Sequence, residues 1–166
     1  MLTNKFKINY SIGSVANGIK TDSFTFFLLF FYSNIIGLKP SLAGLAIFIA
    51  LCVDAITDPL MGTISDRTKS SLGRRHPYML ISFIPMSLGY VFLFAPRQDW
   101  DMSQNDLFVW MTIFTILTRI GMTLFDIPHR AFGGEVTKNY KERTLLMSWR
   151  EMVGWVAGLS NAFLGY

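Results

Sequence analysis

Asp54 and Asp58 lie four residues apart in an apolar run that begins at Leu42, and Pro59 follows at once. On a helix, that spacing stacks both carboxylates on one face. The run marks the helix as lipid-buried, and an acid near hydrocarbon costs about 2.5–3.5 kcal/mol, so such acids face a bundle interior or a water-filled path. A cation is the natural partner of the pair. Pro59 has no N–H to offer the carbonyl of Ala55, four residues back, so a carbonyl oxygen is freed beside the carboxylates. Carboxylates, carbonyls and hydroxyls are the ligands that hard cations such as sodium prefer, and broken helices supply them in transporters. The competing reading is an ion pair between these acids and a basic side chain of a neighbouring helix, Lys20 or Arg119.

Other charges fall in or beside apolar runs. Lys20 and Asp22 lie in a Gly-containing polar half-helix, which either lines a substrate-facing cavity or lets Lys20 snorkel to the interface. Arg119 and Asp126 are seven apart and so share one helix stripe. That stripe faces a cavity or closes an internal salt bridge, because two lipid-facing charges would be costly. Asp66, Arg67, Arg74 and Arg75 read as a cytoplasmic charge network that holds one conformation closed, and Glu135, Glu142 and Arg143 read the same way. Neither His76 nor His129 has a second ligand at metal spacing, so no metal enzyme site and no cofactor is expected.

Five membrane spans must position these residues, at about 11–36, 41–64, 77–95, 107–132 and 145–166. Of 166 residues, 51% are hydrophobic and only 16% charged, against about 25% charged in soluble domains. The apolar residues are gathered into long runs rather than amphipathic stripes, which makes this an all-α membrane protein. Its single cysteine, Cys52, lies inside a span and forms no intrachain disulfide. The net charge of +4 resides in short segments between spans, which is membrane topology and not a nucleic-acid surface. No short apolar core with a small-residue cleavage site opens the chain, so the first helix is read as retained.

Positive charge orients the spans. Lys5 and Lys7 precede the first; Arg67, Lys69, Arg74 and Arg75 follow the second; Lys138, Lys141 and Arg143 follow the fourth. The two alternate loops hold only Lys39 and Arg97. The N-terminus is therefore expected in the cytoplasm, and the loop around Trp100 outside.

Between spans two and three the chain reads Gly62, then Asp66-Arg67, then Gly73-Arg74-Arg75, a spacing that resembles the loop signature of the major facilitator superfamily. With DAITDPLMG before it and DIPHRAFGGEVTKNYKERTLLMSWREMVGWVAG after it, the resemblance narrows to the glycoside-pentoside-hexuronide cation symporters, the melibiose permease group. It covers the chain from about Tyr10 onward. It implies a twelve-helix transporter of two six-helix halves, of which about five helices are present here, so the chain is expected to be a fragment completed by C-terminal helices. By this resemblance Asp54, Asp58 and Thr123 form the cation site for sodium or a proton, and Asp126 and Arg150 contact the sugar. Carboxylates accept from sugar hydroxyls, and an arginine fork donates several bonds at once. The chain departs from the pattern at three points. Gly18 stands where a helix I acid is expected, with Lys20 and Asp22 nearby as substrate groups; Thr57 stands in place of Asn; and His129-Arg130 replaces an aromatic residue.

The function implied is cation-coupled symport of a sugar or glycoside across the cytoplasmic membrane, with lipid as surroundings and no nucleic-acid partner. A family transporter for a lipid-like or other substrate, or a non-transporting scaffold or remnant, are the alternatives. An intramembrane enzyme would need a nucleophile with its base, a His-rich metal cluster or a phosphate cradle such as GxxxxGK, and none is present.

Overall fold

Thr3 caps the first helix: its side chain accepts from the backbone N–H of Phe6, and α1 runs from there over Asn4–Ile12. In the computed structural model, residues 2–165 are described, apart from the side chains of Asp22, Thr25, Phe26, Gln98 and Leu164. The first helix thus starts seven residues before the expected position of about 11. The polar start carries no apolar signal, but a Thr cap followed by helix-tolerant residues suffices to begin a helix. The chain breaks at Gly13-Ser14, resumes as α2, Val15–Asp22, and continues through a π-helical turn over Ser23–Phe27, a short α3, Leu28–Phe30, and a second π stretch, Phe31–Ile36. Gly37 ends this run with φ of 88°, a left-handed conformation that glycine adopts without strain.

Next comes α4, Pro40–Arg67, 28 residues long, with Pro40 in its first turn, where a missing N–H costs nothing. It passes through Pro59 without ending and extends beyond the expected stop at 64. Asp66 and Arg67 therefore belong to its last turn rather than to the loop. No Gly or Pro lies between Gly62 and Thr68 to stop it, and Arg67 complements the negative end of the helix dipole. The third expected span is two pieces, α5, His76–Ile81, and α6, Phe83–Leu93, broken at Ser82. A 3₁₀ turn at Gln98–Trp100 leads to α7, Gln104–Glu135, and the last helix is α8, Tyr140–Gly165. Among the described residues three stretches are long and apolar enough to cross a membrane: Pro40–Arg67, His76–Leu93 and Gln104–Glu135.

The chain divides into two units, Met1–Phe27 with His129–Tyr166, and Leu28–Pro128. In the first, α1 and α2 pack on α8. Gly18 and Gly154 make the close approach possible, since a Cβ on Gly18 would fall 2.0 Å from the carbonyl oxygen of Gly154. Tyr10 stacks on His129 at 4.4 Å and donates to its carbonyl at 3.0 Å. In the second unit, α6 and α7 cross at glycines: a Cβ on Gly89 would meet Thr118, and one on Gly121 would lie 2.5 Å from the backbone nitrogen of Met86. Tyr32, fully buried, donates to the carbonyl of Leu93 at 2.7 Å. At the far end Gln104 clasps the turn before α4, donating to the carbonyl of Gly37 and accepting from the backbone N–H of Lys39, both at 2.9 Å.

Candidate functional site

The two expected acids lie on α4 and meet partners on α7. A guanidinium nitrogen of Arg119 donates to Oδ2 of Asp54, and the Thr123 hydroxyl donates to Oδ1 of Asp58 at 2.7 Å. In both pairs the partners are 65 residues apart. One turn forward on α4 therefore meets one turn forward on α7, so the helices run parallel at this contact. Ala43, Ala46 and Ala50, one face of α4 before Asp54, are fully buried, as is Thr115, one turn before Arg119.

These groups are screened from water. The side chains of Arg119 and Asp54 are 12% and 21% exposed, and Thr123 is buried. Asp54 Oδ1 is buried and takes no hydrogen bond from the protein. An ionised carboxylate oxygen in that state is short of one positive contact. The Asp54–Arg119 ion pair and the Asp58–Thr123 hydrogen bond thus lie at neighbouring turns of one seam. Asp126 follows Thr123 on α7 and is half-buried.

Arg150 and Lys20 belong to the other unit. Arg150 is 1% exposed and forms an ion pair with Glu151. It lines a cleft of about 220 Å³ with Asn17, Thr21, Arg130, Glu151 and Trp155. Ser14, at the break between α1 and α2, donates to the carbonyl of Arg150 at 2.7 Å, tying the cleft wall to its floor. Such a lining offers guanidinium donors, a carboxylate acceptor, amide and hydroxyl groups and an aromatic face, the set that recognises a polyhydroxy ligand. The sequence had not singled out Asn17, Thr21, Glu151 or Trp155; spacing of three to four on α2 and α8 is the signal that joins them. Lys20 is half-buried on α2, and the side chain of Asp22 lies outside the described residues.

In the expected charge network, Arg75 is buried and bridges to Asp66 at 2.8 Å. Arg67, Arg74, Glu135 and Arg143 are exposed, and the guanidinium of Arg143 sits 5.8 Å from the centre of the Tyr140 ring. Glu142 in the first turn of α8 accepts from the Thr137 hydroxyl at 3.0 Å and from the backbone N–H of Leu2 at 3.2 Å. The Thr137 bond, first among the causes, holds its carboxyl below the usual range. Among the described residues no group of three His, Cys, Asp or Glu is placed to hold a metal ion.

The MFS/sugar transport protein family matches residues 9–166. Inner membrane symporter YicJ of Escherichia coli is 32% identical over 165 residues, covering 99% of this chain and 35% of that protein. Putative glycoside/cation symporter YagG of the same organism is 34% identical over 149 residues, 90% of this chain and 32% of that one. Isoprimeverose transporter of Lactiplantibacillus pentosus is 26% identical over 148 residues, 89% of this chain and 30% of that one. The chain thus spans about a third of the length of the curated relatives it matches.

Proposed function

The chain belongs to the MFS/sugar transport protein family, and from that premise we propose that it is the N-terminal portion of a cation-coupled symporter for a sugar or glycoside. The observation that carries the coupling is the α4–α7 seam, where Asp54 and Asp58 meet Arg119 and Thr123 and one carboxylate oxygen has no protein donor. A monovalent cation settling between these carboxylates reduces their mutual repulsion and holds α4 against α7. Any substrate that favours the same packing then binds more tightly when the cation is present, and the cation binds more tightly with substrate, by the same factor. The names of the relatives, a glycoside/cation symporter and an isoprimeverose transporter, support a sugar as cargo, and the polar cleft around Arg150 suits one sugar ring. The N-terminus is assigned to the cytoplasm from the distribution of Lys and Arg.

Uptake by the full-length protein in proteoliposomes tests this. Isoprimeverose and a methyl glucuronide serve as labelled probes, with lysophosphatidylcholine as the lipid-like comparison. An inward sodium or proton gradient is expected to drive at least one sugar uphill. Uphill transport of lysophosphatidylcholine but of neither sugar would overturn the sugar assignment, and uptake indifferent to both gradients would overturn symport.

A further inference from the structure

Arg119 is the member of the seam whose charge matches that of the transported ion. Its guanidinium holds Oδ2 of Asp54, the carboxylate that with Asp58 would surround a free cation, while Oδ1 of the same group stays buried without a hydrogen bond. Half of Asp54 is thus taken by a cation belonging to the protein and half remains open to one that is not. Thr123, one turn on, donates to Asp58 from a neutral hydroxyl, which brings no positive charge to repel an ion. Both arms stand on α7, four residues apart, and are presented to α4 at the same spacing.

We infer that Arg119 is a tethered competitor for the coupling-cation site, a residue that weakens sodium binding and thereby sets the ion selectivity and affinity of the transporter. This rests on the reading of Asp54 and Asp58 as the cation pair. The electrostatics fix the sign. A fixed positive charge in contact with one of the two carboxylates repels an incoming cation and occupies an oxygen that the ion would otherwise coordinate. Sodium that takes both oxygens of Asp54 therefore has to loosen the guanidinium, whose five donors then need other acceptors. A purely structural arginine predicts the reverse, because removing it would disorder the pair and lose the ion.

The full-length protein, purified in detergent, is titrated with radioactive sodium alone at about pH 8, where free carboxylates are ionised. Arg119→Gln should bind sodium roughly tenfold more tightly than the unaltered protein, or more. Arg119→Lys, which keeps the charge without the planar fork, should stay closer to the unaltered affinity. In an Asp54→Asn background the gain from Arg119→Gln should be smaller, since the shared carboxylate is gone and only the repulsion across to Asp58 remains. Size-exclusion profiles show which variants remain folded. Should Arg119→Gln be misfolded, Arg119→Met, which also removes the charge, decides in its place: affinity equal to or weaker than that of the unaltered protein then counts against the inference. Binding that Asp58→Asn abolishes, but that Arg119→Gln leaves unchanged or weakens, overturns the competitor role and leaves the cation site standing. If neither the unaltered protein nor either Arg119 variant binds sodium, and acidification with unlabelled substrate yields no proton uptake sensitive to Asp58→Asn, the cation-site reading falls together with the inference.

Discussion

Asp54 and Asp58 were legible in the chain because a four-residue step places two acids on one helix face whatever surrounds them. Their partners were legible only as a choice. Arg119 stood as one of two candidate cations for the acids and also as a member of the Asp126 stripe, and nothing within α7 decides which helix its side chain reaches. That depends on the register of two helices 65 residues apart in sequence. Arg150 was legible as a type but its surroundings were not, since the cleft joins two distant helices. Within a complete protein, Arg150→Ala should weaken sugar binding by more than tenfold, because a charge-assisted hydrogen bond is worth about 1.5–3 kcal/mol. Isothermal titration with the transported sugar measures this, and unchanged affinity would remove Arg150 from the site. At Glu142 the sign of a pH effect follows from its lowered carboxyl. The ties to Thr137 and Leu2 are at full strength above the ordinary carboxylate value and are lost as pH falls through the depressed one. Hydrogen exchange over residues 137–142, corrected for intrinsic rates, should speed up on acidification, and Glu142→Gln should flatten that dependence.

Helices were easier to foresee than their ends. Apolar runs announced α4 and α7, yet α4 continues to Arg67 and α7 begins at Gln104, because polar residues prolong a helix as readily as apolar ones when no breaker intervenes. The break at Ser82 is marked by Pro85, which has no N–H for the carbonyl of Ile81, but the π-helical turns at Ser23–Phe27 and Phe31–Ile36 have no breaker in sequence. They depend on what each segment packs against. Glycine positions behave similarly: Gly121 and Gly134 look alike in sequence, but a Cβ on the first would lie 2.5 Å from the backbone of Met86 while one on the second meets nothing within 4 Å. Gly121→Val should therefore cost about 1–3 kcal/mol through overpacking at the α6–α7 crossing, whereas Gly134→Ala should cost little. Thermal unfolding in detergent separates them, and equal midpoints would mean that the crossing is looser than the structure has it.

At the scale of the whole molecule, membrane character and family were visible from composition and from the motif spacing around Gly62 and Asp126, and the family match over residues 9–166 agrees. Sidedness rests on charge alone. Single cysteines near Arg74 and near Trp100, on a Cys52→Ala background, should react with an impermeant reagent from opposite faces of the membrane; labelling from the same face would reverse the assignment for one of them. Coupling is a property of the complete transporter, and the relatives are about three times as long as this chain. The most direct measurement is therefore substrate binding to full-length Asp54→Cys and Asp58→Cys, with and without sodium and again across pH. The account predicts that Asp58→Cys loses both the cation dependence of substrate affinity and uphill uptake while keeping downhill exchange. Full coupling retained in both variants would contradict it and return the two carboxylates to a structural ion-pair role.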